Sequence, residues 1–314
     1  MTEQRPLRIG TRGSALALWQ AEWVKSQLLS GERELAVELV IIKTTGDKIL
    51  DVPLAKVGGK GLFVKEIEEA LLQGRADLAV HSVKDMPAEL PEGLHLAAMP
   101  RREDPRDALI SKNGAGLDKL PYGARVGTSS LRRAAQLLHL RPDLRIETLR
   151  GNVDTRLRKL ESEGLDAIVL AAAGLKRMEL SQVISEYLEP ERLLPAVGQG
   201  ALGIETRIGD VFTNEVVESL VHQQTVTTVR AERAFLKRLE GGCQVPIGAY
   251  ATLEDKTLIV TGMVADLTGV RLIRKEMRGD ARQPEVLGER LAEVVLKSGG
   301  GEILAEVYGN QEKD

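Results

Sequence analysis

IGTRGSA (residues 9–15) and VGTSSL (residues 126–131) share one pattern: the end of a strand, a Gly-Thr pair, small polar residues and the start of a helix. Around the first stretch, residues 8–10 are typical of a short strand, and residues 14–29 of a helix with Leu16, Trp19 and Trp23 on one apolar face. A strand that leads directly into a helix is the opening of an α/β unit. Because this opening occurs twice, we predict two similar α/β units in one chain.

Other strand-like runs lie outward from the two openings, at residues 34–44, 76–82, 94–99, 145–149 and 167–170. The helical patterns between them cover residues 62–73 and 153–163. Residues 201–206 are typical of a strand that returns to the first unit, and the polar, proline-containing stretch 100–107 is a candidate crossover between domains. This alternation of strand and helix favours sheets that are mainly parallel.

The pattern changes after a predicted helix at residues 225–240. Three strand-like runs (245–251, 257–265 and 270–277) precede a helix at 284–297, which is typical of a small α+β domain. We therefore predict an α/β fold with two domains of mainly parallel sheet and a small α+β C-terminal domain. The predicted bounds are 1–100 with 200–219 for domain 1, 101–199 for domain 2 and 220–314 for domain 3.

Composition narrows the class of protein. Hydrophobic residues make up 43% of the chain and charged residues 28%, the balance of an ordinary globular protein. A formal net charge of −3 and only 3% aromatic residues argue against a nucleic-acid partner. No run approaches the roughly 18 apolar residues of a membrane helix, and no export signal precedes the first strand. The single cysteine fits a reducing compartment, so we expect a cytoplasmic monomer.

The two strand-to-helix turns are candidate anion sites. A helix N-terminus presents unpaired N–H groups, so the turns containing Ser14, and Thr128 with Ser130, are suited to hold a carboxylate or a phosphate. The alternative is that Ser14 and Ser130 are simple helix N-caps. Arg12 lies inside the first turn and favours the anion site.

Arginines follow the second turn. Arg132 and Arg133 are adjacent, so on a helix they point about 100° apart and cannot both lie on one solvated face. Arg150 and Arg156 are expected at the same edge of the sheet, where α/β proteins bind ligands. Since guanidinium groups bind carboxylates in a bidentate fork, this pattern indicates a ligand with several carboxylates, and phosphates stay open.

Lys84 and Asp85 follow a predicted buried strand. A plain Lys-Asp turn ended by Pro87 is one interpretation, and a carboxylate that faces N–H groups or a developing cation is the other. We interpret His81 as a residue packed within this strand and not as a metal ligand. Histidine and cysteine show no metal-ligand spacing, so we predict no metal site.

Two further segments carry candidate residues. The loop GGKG (residues 58–61) lacks the phosphate-loop pattern, so we interpret it as a basic lid with Lys56 and Lys60. Cys243 follows a Gly-Gly pair just past a predicted helix end, which leaves a reactive thiol and a small core residue equally open.

Taken together, the chain resembles the porphobilinogen deaminase family over nearly its whole length. The motifs that carry the resemblance are IGTRGSALALWQ (9–20), GGKGLFVKEIE (58–68), AVHSVKDMP (79–87), REDPRDAL (102–109), GTSSLRRAAQL (127–137), LRGNVDTRL (149–157), LPAVGQGALGIE (194–205) and ERAFLKRLEGGCQVPIGAYA (232–251). This resemblance implies two domains like those of periplasmic binding proteins, and a dipyrromethane cofactor bound covalently through the sulfur of Cys243.

The resemblance also implies roles for individual residues. Asp85 is the catalytic carboxylate in an enzyme that joins four porphobilinogen molecules head to tail with loss of ammonia. Cofactor-binding positions are Cys243, Lys84, Asp85, Thr128, Ser130, Arg132, Arg133, Arg150 and Gly151. Substrate-binding positions are Arg12, Ser14, Arg150, Arg156, Gln199, Phe63, Lys56 and Lys60.

Two other classes of protein compete with this interpretation. A solute-binding protein for a small polyanion would use the same arginines and helix N-termini, although it would need an export signal. A nucleic-acid-binding regulator would need a basic face, against which the net charge argues.

Overall fold

A computed structural model of the chain describes residues 5–31, 35–48, 64–240 and 245–311. Its strands are β1 (Leu7–Thr11), β2 (Val37–Ile41), β3 (Leu78–Ser82), β4 (Leu94–Ala98), β5 (Asp107–Ser111), β6 (Arg125–Gly127), β7 (Arg145–Glu147), β8 (Ala167–Ala171), β9 (Glu186–Leu188), β10 (Leu202–Arg207), β11 (Ile247–Glu254), β12 (Thr257–Ala265) and β13 (Leu272–Asp280). Its helices are α1 (Ala15–Leu29), α2 (Thr45–Lys48), α3 (Lys65–Leu72), α4 (Leu131–Leu140), α5 (Val153–Ser162), α6 (Ala172–Arg177), α7 (Val211–Val217), α8 (Gln223–Arg238), α9 (Pro284–Val295) and α10 (Gly301–Gln311).

The first of two compact units consists of Met1–Glu103 and Ala201–Val226. Its sheet has the order β2-β1-β3-β10-β4. Strands β1, β2 and β3 are parallel, whereas β10 runs antiparallel between β3 and β4. The prediction that residues 201–206 return to the first unit is therefore confirmed.

Helices cover both faces of this sheet. Leu78 and Val80 of β3 pack with α1 on one face, and Ala79 packs with α3 on the other. A strand buried on both faces lacks the alternation of apolar and polar residues, as the run of residues 78–80 in β3 shows. The predicted apolar face of α1 is only partly correct: Trp23 packs against this core, whereas Trp19 is exposed.

The face of α1 that meets the sheet is formed by Gln20, Ala21, Val24 and Leu28, while Trp19 is 36% exposed. Gln20 is tolerated there because its amide donates a hydrogen bond to Ser82 Oγ at 3.0 Å.

The second unit consists of Asp104–Gly200 and Thr227–Asp314. Its larger sheet has the order β7-β6-β8-β5-β9, with β6, β7 and β8 parallel and β5 antiparallel to both of its neighbours. This arrangement of three parallel strands beside an antiparallel one repeats that of the first unit, as the two openings predicted. The smaller sheet, β11-β12-β13, is antiparallel, and α9 packs against it.

The predicted fold class is confirmed: mainly parallel α/β sheets are accompanied by a small α+β part. The division into three domains stays a prediction, since the chain separates into two compact units. Within the ranges given above, no helix combines the length and the apolar character that crossing a membrane requires.

Candidate active site

A pocket in the first unit lies at the edge where β1 and β3 end. Polar residues from the end of β3, from the turns after β1 and β3, and from α1 line it: Arg12, Ser14, Gln20, His81, Ser82 and Asp85. Its apolar wall comes from α1, β3, Val64 and Ile67. Three of the sequence-predicted site residues, Arg12, Ser14 and Asp85, are therefore brought together.

The backbone turns after β1 and β3 position these side chains. Ser14 is the N-cap of α1, since its Oγ accepts from Ala17 N at 3.3 Å. A capping hydroxyl uses a lone pair and keeps its O–H for another partner, so capping leaves a donor available. Val83–Asp85 forms a single turn of 3-10 helix, which holds Asp85 exposed and Lys84 half-buried.

A buried cluster behind this pocket escaped the sequence analysis. His81 Nε2 lies 3.0 Å from Glu205 Oε2, and Glu68 of α3 is buried close to both. Burial, reinforced by the charge of Glu205, raises the pKa of Glu68 to about 7. Residues 68, 81 and 205 are far apart along the chain, so no local pattern indicates that they meet.

In the second unit, Asp107 holds Arg132 and Arg133 together. Arg132 Nη1 donates to Asp107 Oδ2 at 2.8 Å, and Arg133 donates to Oδ1 from Nη2 at 2.7 Å. All three side chains are almost fully buried. Burial works to raise the pKa of Asp107, but the two guanidinium groups outweigh it and hold that pKa well below its usual range.

Gln199 joins the same cluster. Its amide donates to Asp107 Oδ1 at 3.0 Å and to the Pro105 carbonyl at 2.6 Å. The cluster of Asp107, Arg132 and Arg133 nevertheless contains two cations and one anion. It therefore carries one positive charge in excess, in a place where an unpaired charge is costly.

The loops that follow β6 and β7 lie at the carboxyl ends of these strands. Thr128 N donates to the Glu147 carbonyl at 2.8 Å, and Ser130 caps α4 by accepting from Arg133 N at 3.4 Å. Arg156 Nε donates to the carbonyl of Gly151 at 2.8 Å.

Backbone conformation at this edge requires a glycine. Gly151 has φ 110°, and a Cβ there would lie 2.6 Å from Thr155 Cγ2. Arg150 and Arg156 are half-buried, unlike Arg132 and Arg133. The four arginines thus fall into a buried pair and a half-buried pair.

Four of the predicted site residues, Lys56, Lys60, Phe63 and Cys243, lie outside the described residues. A described neighbour of Cys243 is informative, however. A Cβ on Gly248 would lie 3.0 Å from the Pro195 carbonyl and 3.3 Å from Arg132 Cδ. The strand that begins a few residues after Cys243 therefore packs directly against Arg132.

Other residues of this region were not foreseen. Arg177 is buried and donates to the Gly200 carbonyl at 2.8 Å. Glu232 is fully buried and accepts from Gly198 N at 2.7 Å and from Ala251 N at 2.9 Å, which fixes the turn that carries Gln199. The sequence signal that could have revealed this residue is a glutamate, Glu232, at a position within the apolar pattern of α8. In the part of the chain that the structure describes, no group of three or more His, Cys, Asp or Glu side chains is suited to a metal ion.

Comparisons with known proteins agree along the chain. Residues 7–232 match the family model described as porphobilinogen deaminase, dipyromethane cofactor binding domain, and residues 226–297 match that of the porphobilinogen deaminase C-terminal domain. A porphobilinogen deaminase of Syntrophotalea carbinolica is 60% identical over 95% of both chains. One of Pelobacter propionicus is 58% identical over 97% of this chain and 98% of its own.

Among solved structures, a TRAP periplasmic solute binding protein from Desulfovibrio salexigens covers 98% of this chain and 96% of its own. Its sequence identity is 12% and its TM-score 0.43, a likeness too low to bear on function.

Proposed function

Because this chain belongs to the porphobilinogen deaminase family, we propose that its two polar sites divide the work of that family's reaction. The enzyme condenses four porphobilinogen molecules head to tail, with loss of ammonia, to the linear tetrapyrrole hydroxymethylbilane. In this proposal the arginine cluster of the second unit binds the carboxylates of the dipyrromethane cofactor, and Asp85 of the first unit acts where bonds change.

The observation that carries the proposal is the buried excess of positive charge around Asp107. One carboxylate neutralises one of the two guanidinium groups, and Gln199 adds no charge. Arg132 Nε is buried without a hydrogen-bond acceptor among the described residues. A bound carboxylate would supply both the missing charge and the missing acceptor, so this donor set fits a cofactor that bears acetate and propionate groups.

Cys243 is the proposed point of attachment. It is the only cysteine of the chain, and residues shortly after it pack against Arg132. When bound, dipyrromethane supplies a terminal pyrrole ring whose free α-carbon is the nucleophile. We propose that Lys84, Thr128, Ser130, Arg150 and Gly151 complete the cofactor site.

Asp85 is proposed to assist the departure of ammonia. The bond between the aminomethyl carbon and nitrogen of porphobilinogen breaks, its electron pair leaves with the amine, and the carbon becomes cationic. A carboxylate beside the pyrrole N–H stabilises that cation, and it also accepts or returns protons as the new carbon–carbon bond forms and the ring α-carbon loses its proton. The exposure of Asp85 keeps it accessible to substrate.

The remaining basic and polar residues are proposed to bind substrate carboxylates. Each porphobilinogen brings an acetate and a propionate, which match the guanidinium of Arg12 and the hydroxyl of Ser14 in the pocket. Arg150 and Arg156 are proposed to serve the growing chain, together with Gln199, Phe63, Lys56 and Lys60. We propose that the protein is cytoplasmic and monomeric, and sedimentation of the purified protein at several concentrations will test the monomeric state.

Asp85→Asn tests the catalytic assignment. The amide keeps the size and polarity of the side chain but removes the charge, so we expect kcat to fall by about 100-fold or more while KM changes little. Glu92→Gln, at an exposed position of the same unit, is the matched control and should keep wild-type rates. A variant that changes only KM would make Asp85 a binding residue.

A further inference from the structure

The cluster of Glu68, His81 and Glu205 has no role in the reaction described above. Glu68 is 7% exposed, His81 6% and Glu205 0%, so three titratable groups share one water-poor space between the sheet and α3. Such groups are costly to bury unless their charges balance.

The hydrogen bonds show how the charges can balance. His81 Nε2 and Glu205 Oε2 form a buried pair at 3.0 Å. Glu205 Oε1 and Glu68 Oε1 are buried and have no hydrogen-bond partner among the described residues. A neutral His81–Glu205 pair, together with a proton on Glu68, leaves the whole cluster without net charge.

Other charges near these elements are already bound elsewhere. Arg207, two residues after Glu205 on β10, donates to the Leu71 and Ala76 carbonyls and contacts Asp77. On β1, Arg8 is paired with Asp77, and the position that faces Ile67 of α3 is Gly10, which has no charge. Among the described residues of these packed elements, the charges facing Glu68 are therefore those of His81 and Glu205.

The cluster lies directly behind the pocket that contains Asp85. His81 itself lines that pocket, and so does Ile67, the neighbour of Glu68 on α3. A change in the charge of Glu68 is therefore felt by any anion that enters the pocket.

We propose that Glu68, His81 and Glu205 form a buried charge cluster in which Glu68 holds the proton that keeps the wall of the Asp85 pocket neutral, so that Glu68 is a positioning residue for carboxylate-bearing substrate. The proposal rests on the function proposed above. It assigns Glu68 no contact with substrate.

The expected consequence is a pH-dependent KM. The pKa of Glu68, raised by burial and by Glu205 to about 7, falls within the range of an ordinary assay. As pH rises through that value, one negative charge appears behind a pocket that receives carboxylates. At an effective dielectric constant of about 20, one charge behind the pocket changes binding by roughly tenfold.

The first test needs no turnover. In the cofactor-loaded enzyme, infrared difference spectra should show a protonated glutamate carboxyl that disappears with a midpoint near neutral pH. The signal should be absent in Glu68→Gln and present in Glu69→Gln, an exposed neighbour on α3. In Glu205→Gln the midpoint should move to lower pH, because a charge that raises the pKa is gone.

The second test is kinetic. KM for porphobilinogen should rise five- to tenfold from about pH 6 to about pH 8 in the wild type and in Glu69→Gln, and should stay flat in Glu68→Gln, with kcat less affected. A wild-type KM profile in Glu68→Gln, or a protonated carboxyl that survives in it, would overturn the role proposed for Glu68 in the buried charge cluster. Glu205→Gln tests the same point in a second way. In this variant Glu68 should lose its proton at a lower pH than in the wild type, so the rise in KM should also begin at a lower pH. A wild type with the infrared signal but no turnover at any pH would instead count against the proposed function.

Discussion

Asp107 is the residue on which the buried arginine pair depends. Its carboxylate is the only described partner that brings Arg132 and Arg133 an opposite charge, and Gln199 donates to the same oxygen as Arg133. The two arginines were predictable from the sequence as unusual neighbours. Asp107 was not, because it precedes Arg132 by 25 residues and is the last residue of the proline-containing stretch that we interpreted as a crossover.

Replacing Asp107 by Asn should destabilise the protein strongly. The change leaves two guanidinium groups buried without an anion, a situation that costs about 3–5 kcal/mol. Asp118→Asn is the matched control, since Asp118 pairs with Arg192 at the surface, where the loss should be at most about 1 kcal/mol.

Urea unfolding of both variants in a Cys243→Ser background, which should lack the cofactor carboxylates, measures the difference. Equal losses in the two variants would mean that Asp107 does not carry the buried cluster.

Among the elements, α1 and α4 begin in the same way. Both follow a parallel strand, and each is capped by a serine from the repeated opening, Ser14 or Ser130. The structure confirms that both serines are N-caps. It does not exclude that they also bind an anion, because a capping serine still has a hydroxyl to donate.

Ser130 variants separate capping from binding. Ser130→Ala removes the cap and should cost about 1 kcal/mol of stability. Ser130→Asp is a good N-cap and should unfold like the wild type, but its charge repels the cofactor carboxylates, so a smaller fraction of the protein should carry the cofactor.

Thermal unfolding and intact-mass spectra of the same samples provide the two readouts. Full cofactor loading in Ser130→Asp would remove Ser130 from the proposed cofactor site.

Some elements were predicted to the residue. β12 has the predicted bounds, and α9 begins at the predicted residue. β5 and β9 were not predicted: β5 is buried along its whole length and so has no alternation, and β9 has only three residues. Their pairing is set by tertiary contacts, which no local periodicity contains.

At the scale of the whole molecule, Glu68 links stability to pH. Its folded-state pKa of about 7 exceeds the ordinary value of 4.5, so the folded protein binds more protons than the unfolded chain between these values. Stability from this residue is therefore greatest at low pH, falls as pH rises from about 4.5 to about 7, and stays low above that. The slope is at most about 1.4 kcal/mol per pH unit.

Urea unfolding at several pH values tests this linkage. Relative to wild type, Glu68→Gln should gain stability as pH rises through that window, and Glu69→Gln should not. Parallel pH profiles for wild type and Glu68→Gln would show that Glu68 titrates normally.

The central claim is that this chain carries dipyrromethane on Cys243, with carboxylates bound by the arginines of the second unit. Intact-mass spectrometry of the purified protein tests it most directly. We predict that the wild type exceeds its polypeptide mass by one covalent dipyrrole and that Cys243→Ser, although folded, has the bare polypeptide mass and no turnover. A wild type with the bare mass, or a Cys243→Ser variant that carries the same addition, would contradict the account.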